Sequence, residues 1–163
     1  MQQLSIRPAT ERDHDAIWKI FQAVVSTGDT YAIDPDISRE DAIAYWFAPK
    51  SHTYIAEAGR KILGTYALRT YRASGGSHVS NAGFMVAPAE HGRGIGRTMA
   101  EHCLNEARRL GFTAMQFNFV ISTNEHAIRL WKNLGFAIVG TLPGAFRHPT
   151  KGFVDVYVMF RQL

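Results

Sequence analysis

Three glycines in five residues, Gly92, Gly94 and Gly96, alternate with Arg93, Ile95 and Arg97 just after the apolar stretch that ends in Val86-Ala87-Pro88. Glycine lets backbone N–H groups converge with no side chain in the way. Apolar residues at Ile95, Met99, Cys103, Ala107 and Leu110 predict a helix from about Gly94, which Gly111 stops. The converging amides then sit at a helix N-terminus, where four N–H groups lack partners and the dipole is positive. Such a place cradles phosphate. Arg93 and Arg97 add charge that persists at pH 7. The loop reads as the holder of the pyrophosphate of a nucleotide-like cofactor; the alternative is a glycine-rich turn that binds nothing. It is not a P-loop, because Gly96-Arg97-Thr98 lacks the lysine. A dinucleotide fingerprint fails as well: its third glycine would fall on Arg97 or on Met99.

Other polar residues sit where chemistry could use them. His78, at the start of the strand that runs into this loop, has an intrinsic pKa suited to proton transfer; equally, it reads as a strand-end histidine facing solvent. Asn81 and Asn118 fall on strands expected to be adjacent and central, where a buried amide must find partners. Cys103 lies on the helix stripe and reads as a small core residue.

The elements that must position these residues follow from periodicity. Leu4-Ser5-Ile6-Arg7 alternates as a strand ended by Pro8. Thr10, with Asp13 in capping-box position, opens a helix that places Ile17, Ile20, Phe21, Val24 and Val25 on one face. Gly28-Asp29-Thr30-Tyr31 breaks it, and Ser38 caps a second helix through Phe47 with Ile43, Trp46 and Phe47 as its apolar face. Two strands, 53–57 and 61–68, flank the Ala58-Gly59-Arg60 turn, and Gly64 predicts a bulge or a close backbone approach. Val79 to Val86 is the central strand, and its blurred alternation at Phe84-Met85-Val86 predicts a bulge there. In the next strand, 113–120, Met115, Phe117 and Phe119 alternate with Ala114, Gln116 and Asn118. Asn124 caps a helix through Leu134. Strands at 136–142 and 153–160 follow, with Pro143 to Pro149 expected as a loop. The order is β-α-α-β-β-β-α-β-α-β-β, an α/β mixed sheet with helices on both faces.

The totals narrow the class. A chain of 163 residues is expected to form one domain, 1–163. Apolar content of 46% and charged content of 20% suit a soluble globular protein. Met1-Gln2-Gln3-Leu4 shows no signal-peptide core, and the single cysteine suits a reducing cytoplasm. Net charge of +4 favours anionic ligands, but the basic residues are scattered. Neither a nucleic-acid stripe nor a membrane span is expected, and no metal site is.

The segment His91-Gly92-Arg93-Gly94-Ile95-Gly96 resembles the acyl-CoA loop of the GNAT superfamily, Gln/Arg-x-x-Gly-x-Gly/Ala, with His91 in place of the usual first residue. Asn124 to Phe136 is similar to the family pattern Asn-x-x-Ala-x-x-Leu-Tyr-x-x-x-Gly-Phe, with Trp131 where tyrosine is usual. Ile6-Arg7-Pro8-Ala9-Thr10 looks like a common opening of the same family, so the resemblance spans nearly the whole chain. It implies a GNAT-type fold with a splayed central strand and acetyl-CoA (coenzyme A) as donor. The residues implied to hold the donor are Met85, Val86, His91, Gly92, Arg93, Gly94, Ile95, Gly96, Arg97, Asn124 and Trp131. The bulged strand would free an amide near Met85 for the thioester carbonyl; Asn124 is open between coenzyme contact and plain N-cap. The loop between the first two helices would line the acceptor site, making Asp29, Thr30, Tyr31 and Asp34 contact candidates beside Asn81 and Asn118. An ordinary polar loop is the alternative. The glutamate base of some members falls here on Ser80, which leaves His78 as the base candidate, Asn118 as a catalytic or acceptor-holding residue, and Tyr31 as a replacement for the tyrosine acid that Trp131 lacks.

The runs Ser77 to Val86, Gln116-Phe117-Asn118 and Gly140 to Phe146 look similar to a branch that acetylates proline analogues such as azetidine-2-carboxylate. The implied reaction is N-acetylation of a small amine, an amino or imino acid or its toxic analogue. Peptide or protein N-acetylation and a catalytically silent coenzyme-binding module are the alternatives. Dimers are frequent in the family, so a homodimer is a further expectation.

Overall fold

The computed structural model describes residues 3–163; Met1 and Gln2, read above as part of a leaderless N-terminus, lie outside the described residues. In chain order the elements are β1 (Leu4–Pro8), α1 (His14–Val25), α2 (Arg39–Trp46), β2 (His52–Ala58), β3 (Lys61–Thr70), β4 (Val79–Val86), α3 (Ile95–Arg109), β5 (Ala114–Ile121), α4 (Glu125–Asn133), β6 (Ala137–His148) and β7 (Gly152–Gln162). The strands form one sheet in the order β1-β2-β3-β4-β5-β7-β6, with β4 and β5 its parallel pair. This is the mixed α/β arrangement that the periodicity predicts.

Both faces of the sheet are covered. Helices α1 and α2 pack Ile17, Ile20, Phe21, Val25 and Trp46 onto Ile55, Ala67 and Met85. On the other face α3 and α4 pack Ile95, Met99, Cys103 and Trp131 onto Leu68, Ala82 and Phe117. Gly64 makes the predicted close approach. A methyl group there would stand 2.9 Å from Met99 Cε and 3.0 Å from the Met85 carbonyl. The register beside it slips as well, between Ala56 and Glu57.

Three expectations about strands are corrected. The bulge is not in β4: its register with β3 runs unbroken from Gly64↔Val86 to Thr70↔Ser80. Phe84, Met85 and Val86 are all apolar because Phe84 and Val86 face α3 and α4 while Met85 faces α1 and α2. A strand covered on both faces loses its alternation without any slip. The bulge lies instead in β5, where the register with β7 shifts between Phe117 and Val120 and Phe119 turns out to be exposed. The segment 143–149 is not a loop either. Strand β6 continues through it to His148, absorbing extra residues between Leu142 and Phe146, where Gly144 has φ +58°.

The first helix is anchored by charge. Asp13 accepts from the Thr10 backbone N–H at 2.7 Å and from both terminal nitrogens of Arg7 at 2.9 Å. Arg7 also donates to Glu57 on β2. The Arg7 hydrogen bonds hold the Asp13 carboxyl at about 2, against burial that pushes it up. A depressed carboxyl stabilises the fold above its unfolded pKa and loses that contribution as pH falls through the folded value. The full lowering would correspond to about 2.5 kcal/mol, and the part-exposed Arg7 screens it to about 1 kcal/mol. Asp13→Asn is therefore expected to lower Tm by about 3 °C at pH 7. The wild-type advantage should vanish between pH 4 and pH 2 in thermal melts; an equal advantage at pH 2 would refute the pairing as its source.

Candidate functional site

Strands β4 and β5 pair at Val79↔Ala114 and Ser80↔Met115 and then part. Peptide groups along a strand face its two neighbours in turn. The Ala87 N–H donates to Leu63 O on the β3 side at 2.8 Å, so the residues in phase with it, Met85 included, also face β3. Phe84 and Val86 face the gap. The gap-facing amide is therefore that of Phe84, one residue from the expected Met85, whose side chain is buried under α1 and α2. In place of a strand, the Tyr31 hydroxyl meets Phe84: it accepts from the N–H at 3.0 Å and donates to the carbonyl. Burial pushes the Tyr31 phenol above its ordinary value, so it stays protonated at working pH.

The glycine loop leaves the open end of β4. Gly92 and Gly94 hold φ of +77° and +76°, left-handed values that side chains resist, and a methyl group on either would meet no protein atom within 4 Å. Space in front of the N-terminus of α3 is thus kept clear, as a phosphate cradle requires. Ile95 is a core residue of α3, and Gly96 stands beside Val86. His91 Nε2 lies 3.3 Å from the Val86 carbonyl. Both arginines have carboxylate partners: Arg93 pairs with Glu90, which Lys61 also holds at 2.5 Å, and Arg97 pairs with Glu101 at 2.9 Å. These pairs tie the loop to β3 and to its own helix.

On the same face Trp131 is packed among Phe84, Phe117 and Phe136. It forms a wall of the gap, and an indole offers no proton at neutral pH. Asn124 caps α4, its side chain accepting from Ala127 N at 3.3 Å.

The opposite face carries the other polar candidates. Asn81 Nδ2 donates to Gln116 O at 2.8 Å and approaches Asn118 Oδ1 at 3.3 Å, so the two amides meet across the fork where β4 and β5 divide. A hollow of about 360 Å³ lies at the open end, lined by Asp29, Thr30, Thr123, Asn124, His148 and Lys151. The sequence singled out Asp29, Thr30 and Asn124; it missed Thr123, which lies beside Asn124 in the turn after β5, and His148 and Lys151, which only the long β6–β7 hairpin brings here. Gly28 is the contact that seats it, a methyl group there standing 3.5 Å from Pro149 Cγ. The His148 Nδ1 accepts from Thr150 N at 3.2 Å, which leaves Nε2 to carry the proton of the neutral ring. Asp34 instead stabilises its own turn, accepting from Asp36 N.

His78 is not brought to the site. It is exposed at the closed end of β4, and six residues at about 3.3 Å each put it roughly 20 Å from Phe84. No group of three His, Cys, Asp or Glu residues that could hold a metal ion occurs among the described residues, and no helix among them is long and apolar enough to cross a membrane.

Residues 14–136 match the model of the acetyltransferase (GNAT) family. The chain is 32% identical over 151 residues to N-acetyltransferase aca1 of Schizosaccharomyces pombe, covering 82% of this chain and 72% of that protein. It is 26% identical over 144 residues to the L-methionine sulfoximine/L-methionine sulfone acetyltransferase of Salmonella typhimurium, covering 86% and 84%. Among solved structures, a GCN5-related N-acetyltransferase from Kribbella flavida superimposes with a TM-score of 0.94 at 43% identity, covering 98% of each chain.

Proposed function

The chain belongs to the acetyltransferase (GNAT) family and is an N-acetyltransferase with acetyl-CoA as its donor, and from that premise we propose that it acetylates the amine of a small amino-acid-like acceptor. The observation that carries this reading is the gap between β4 and β5. It opens on one face to the glycine loop and on the other to paired amides and a small hollow holding both charges, Asp29 and Lys151. Charged groups at the mouth and paired amides at the fork suit a small polar acceptor, and the Salmonella relative is named for amino-acid derivatives.

Bound acetyl-CoA supplies an activated acyl carbonyl and a thiolate leaving group. The amides at the start of α3 hold its phosphates, and Trp131 and Phe84 wall its path. The Phe84 N–H, released by Tyr31, is placed to stabilise charge on the carbonyl oxygen. Tyr31 then stands free to donate toward the departing sulfur, and a thiolate of pKa about 8.5 needs little help. An α-amine needs less help than a lysine-like one: at pH 7 a pKa near 8 costs about 1–1.5 kcal/mol to neutralise against about 4–5 for a pKa near 10.4, and the more basic nitrogen of an imino acid falls nearer the second value. The lone, buried Cys103 suits work in a reducing cytoplasm.

The test is thiol release from acetyl-CoA against free amino and imino acids, polyamines, aminoglycosides and short peptides. Release with the first class alone is expected. Release with peptides only would move the reading to peptide acetylation, and coenzyme binding without release would make the chain a silent module. Asn118→Ala should raise acceptor KM about tenfold and leave coenzyme affinity intact; unchanged kinetics would remove Asn118 from the acceptor site.

A further inference from the structure

Arg69 is the cation that the site described so far leaves unused. It ends the buried part of β3, its Nε is buried, and that atom has no hydrogen-bond partner among the described residues. None of the ion pairs among those residues involves it. Its guanidinium instead lies over the Tyr45 ring, 5.1 Å from the centroid. A charged side chain drawn into a fold without a carboxylate is costly, and an aromatic face compensates only partly.

Its position explains what would complete it. Arg69 stands directly opposite Asn81 in the ladder, and Asn81 reaches Asn118 across the fork. The three form a row across β3, β4 and β5 on the face covered by α1 and α2. Gly83 follows on the same face, where a methyl group would stand 3.9 Å from Tyr31 Oη and 3.2 Å from the Trp46 ring. Same-face residues repeat every ~7 Å along a strand, so the row lies one step from the hydroxyl that holds the Phe84 peptide. An arginine side chain spans that step. A guanidinium fork flanked by two neutral amides suits a planar, singly charged anion; a phosphate dianion calls for more than one cation.

Resting on the reading of the chain as an acetyltransferase of small acceptors, we propose that Arg69 binds the acceptor's carboxylate, with Asn81 and Asn118 beside it, and so restricts the enzyme to amines that carry an acid group. The carboxylate supplies the partner that the guanidinium lacks. Seated there, an α-amino or imino acid directs its nitrogen toward Tyr31 and the Phe84 peptide.

The experiment compares free amino acids, including L-methionine sulfone and L-proline, with their α-carboxamides as acceptors. The wild type should prefer the acids by about 100-fold in kcat/KM. Arg69→Gln should lose about 100-fold on the acids, chiefly through KM, while the amides change less than about threefold. Arg69→Lys should recover part of the loss, since it keeps the charge and loses the fork. Coenzyme affinity measured by calorimetry should be the same in all three proteins, which separates the effect from general damage. If Arg69→Gln does not fold, the wild-type preference and Arg69→Lys still decide. Equal turnover of acids and amides by the wild type would overturn the assignment and leave the acetyltransferase reading standing. Absence of turnover with every acceptor would overturn the small-acceptor reading and this assignment with it.

Discussion

Replacing Gly94 with valine lowers the affinity for coenzyme A about a hundredfold and leaves Tm within a few degrees of wild type. Gly94 is the N-cap of α3 and holds φ of +76°. An L side chain in that region costs roughly 1–2 kcal/mol, more when β-branched. The loop is exposed and can relieve the strain by rotating the peptides on either side. Those peptides carry the amides proposed to converge on the phosphates, and each hydrogen bond to a charged group is worth about 1.5–3 kcal/mol. Losing one, with partial strain in the bound form, amounts to about 2.7 kcal/mol, a hundredfold in affinity. Stability changes by little more than the residual strain, because a Cβ at this position meets no protein atom within 4 Å. Gly94→Ala should fall between the two. Titration calorimetry with coenzyme A reads the effect directly, and wild-type affinity in the valine variant would separate the loop from the phosphates.

Tyr31→Phe is expected to lower kcat by ten- to a hundredfold and to destabilise the ligand-free protein by about 1–2 kcal/mol. Both effects come from one hydroxyl. It is the partner that the Phe84 N–H and carbonyl find in the absence of a neighbouring strand, so its removal leaves a backbone pair short of partners in the middle of the sheet. The kinetic loss follows from the proposed role of Tyr31, because its phenylalanine variant has no hydroxyl to donate toward sulfur. Burial raises the phenol's pKa, so its contribution to stability is complete below the unfolded value near 10 and is lost only as pH rises beyond it. The pH–rate profile between pH 6 and 9 should carry no limb that Tyr31→Phe abolishes. A saturating donor should narrow the stability gap, because it occupies the same peptide. An unchanged kcat would reduce Tyr31 to a structural plug.

The sequence makes most of the frame legible because punctuation and periodicity agree. Pro88 after Val86 and the glycine-rich turn before Val79 bound β4 at both ends, and Gly111 stops α3 where the left-handed residue stands. What escaped depends on contacts between distant segments. Apolar residues at three consecutive β4 positions look alike whether a strand is bulged or covered on both faces. Pro143-Gly144 has loop composition, yet β7 supplies a partner strand that carries β6 through it, with Asp155 accepting from Gly144 N. His148 and Lys151 reach the hollow only because the hairpin tip folds onto Gly28. His78 had the right chemistry at the wrong end of its strand. Arg69 lies just past the strand expected over 61–68, and its orphaned nitrogen appears only when Tyr45 and the neighbouring asparagines are in place.

Two residue pairs join the halves of the sheet. Within the sheet this is a seam far shorter than the strands on either side of it, so a ligand that enters the gap acts as mortar. Its binding free energy goes into holding the first four strands to the last three. At a hundredfold excess over its Kd a ligand adds about 2.7 kcal/mol to the folded state, a large part of what a small domain possesses. The durability of this protein is then set in part by its surroundings: well supplied with donor, the seam is closed and the chain resists unfolding; starved of it, the same chain is a looser object.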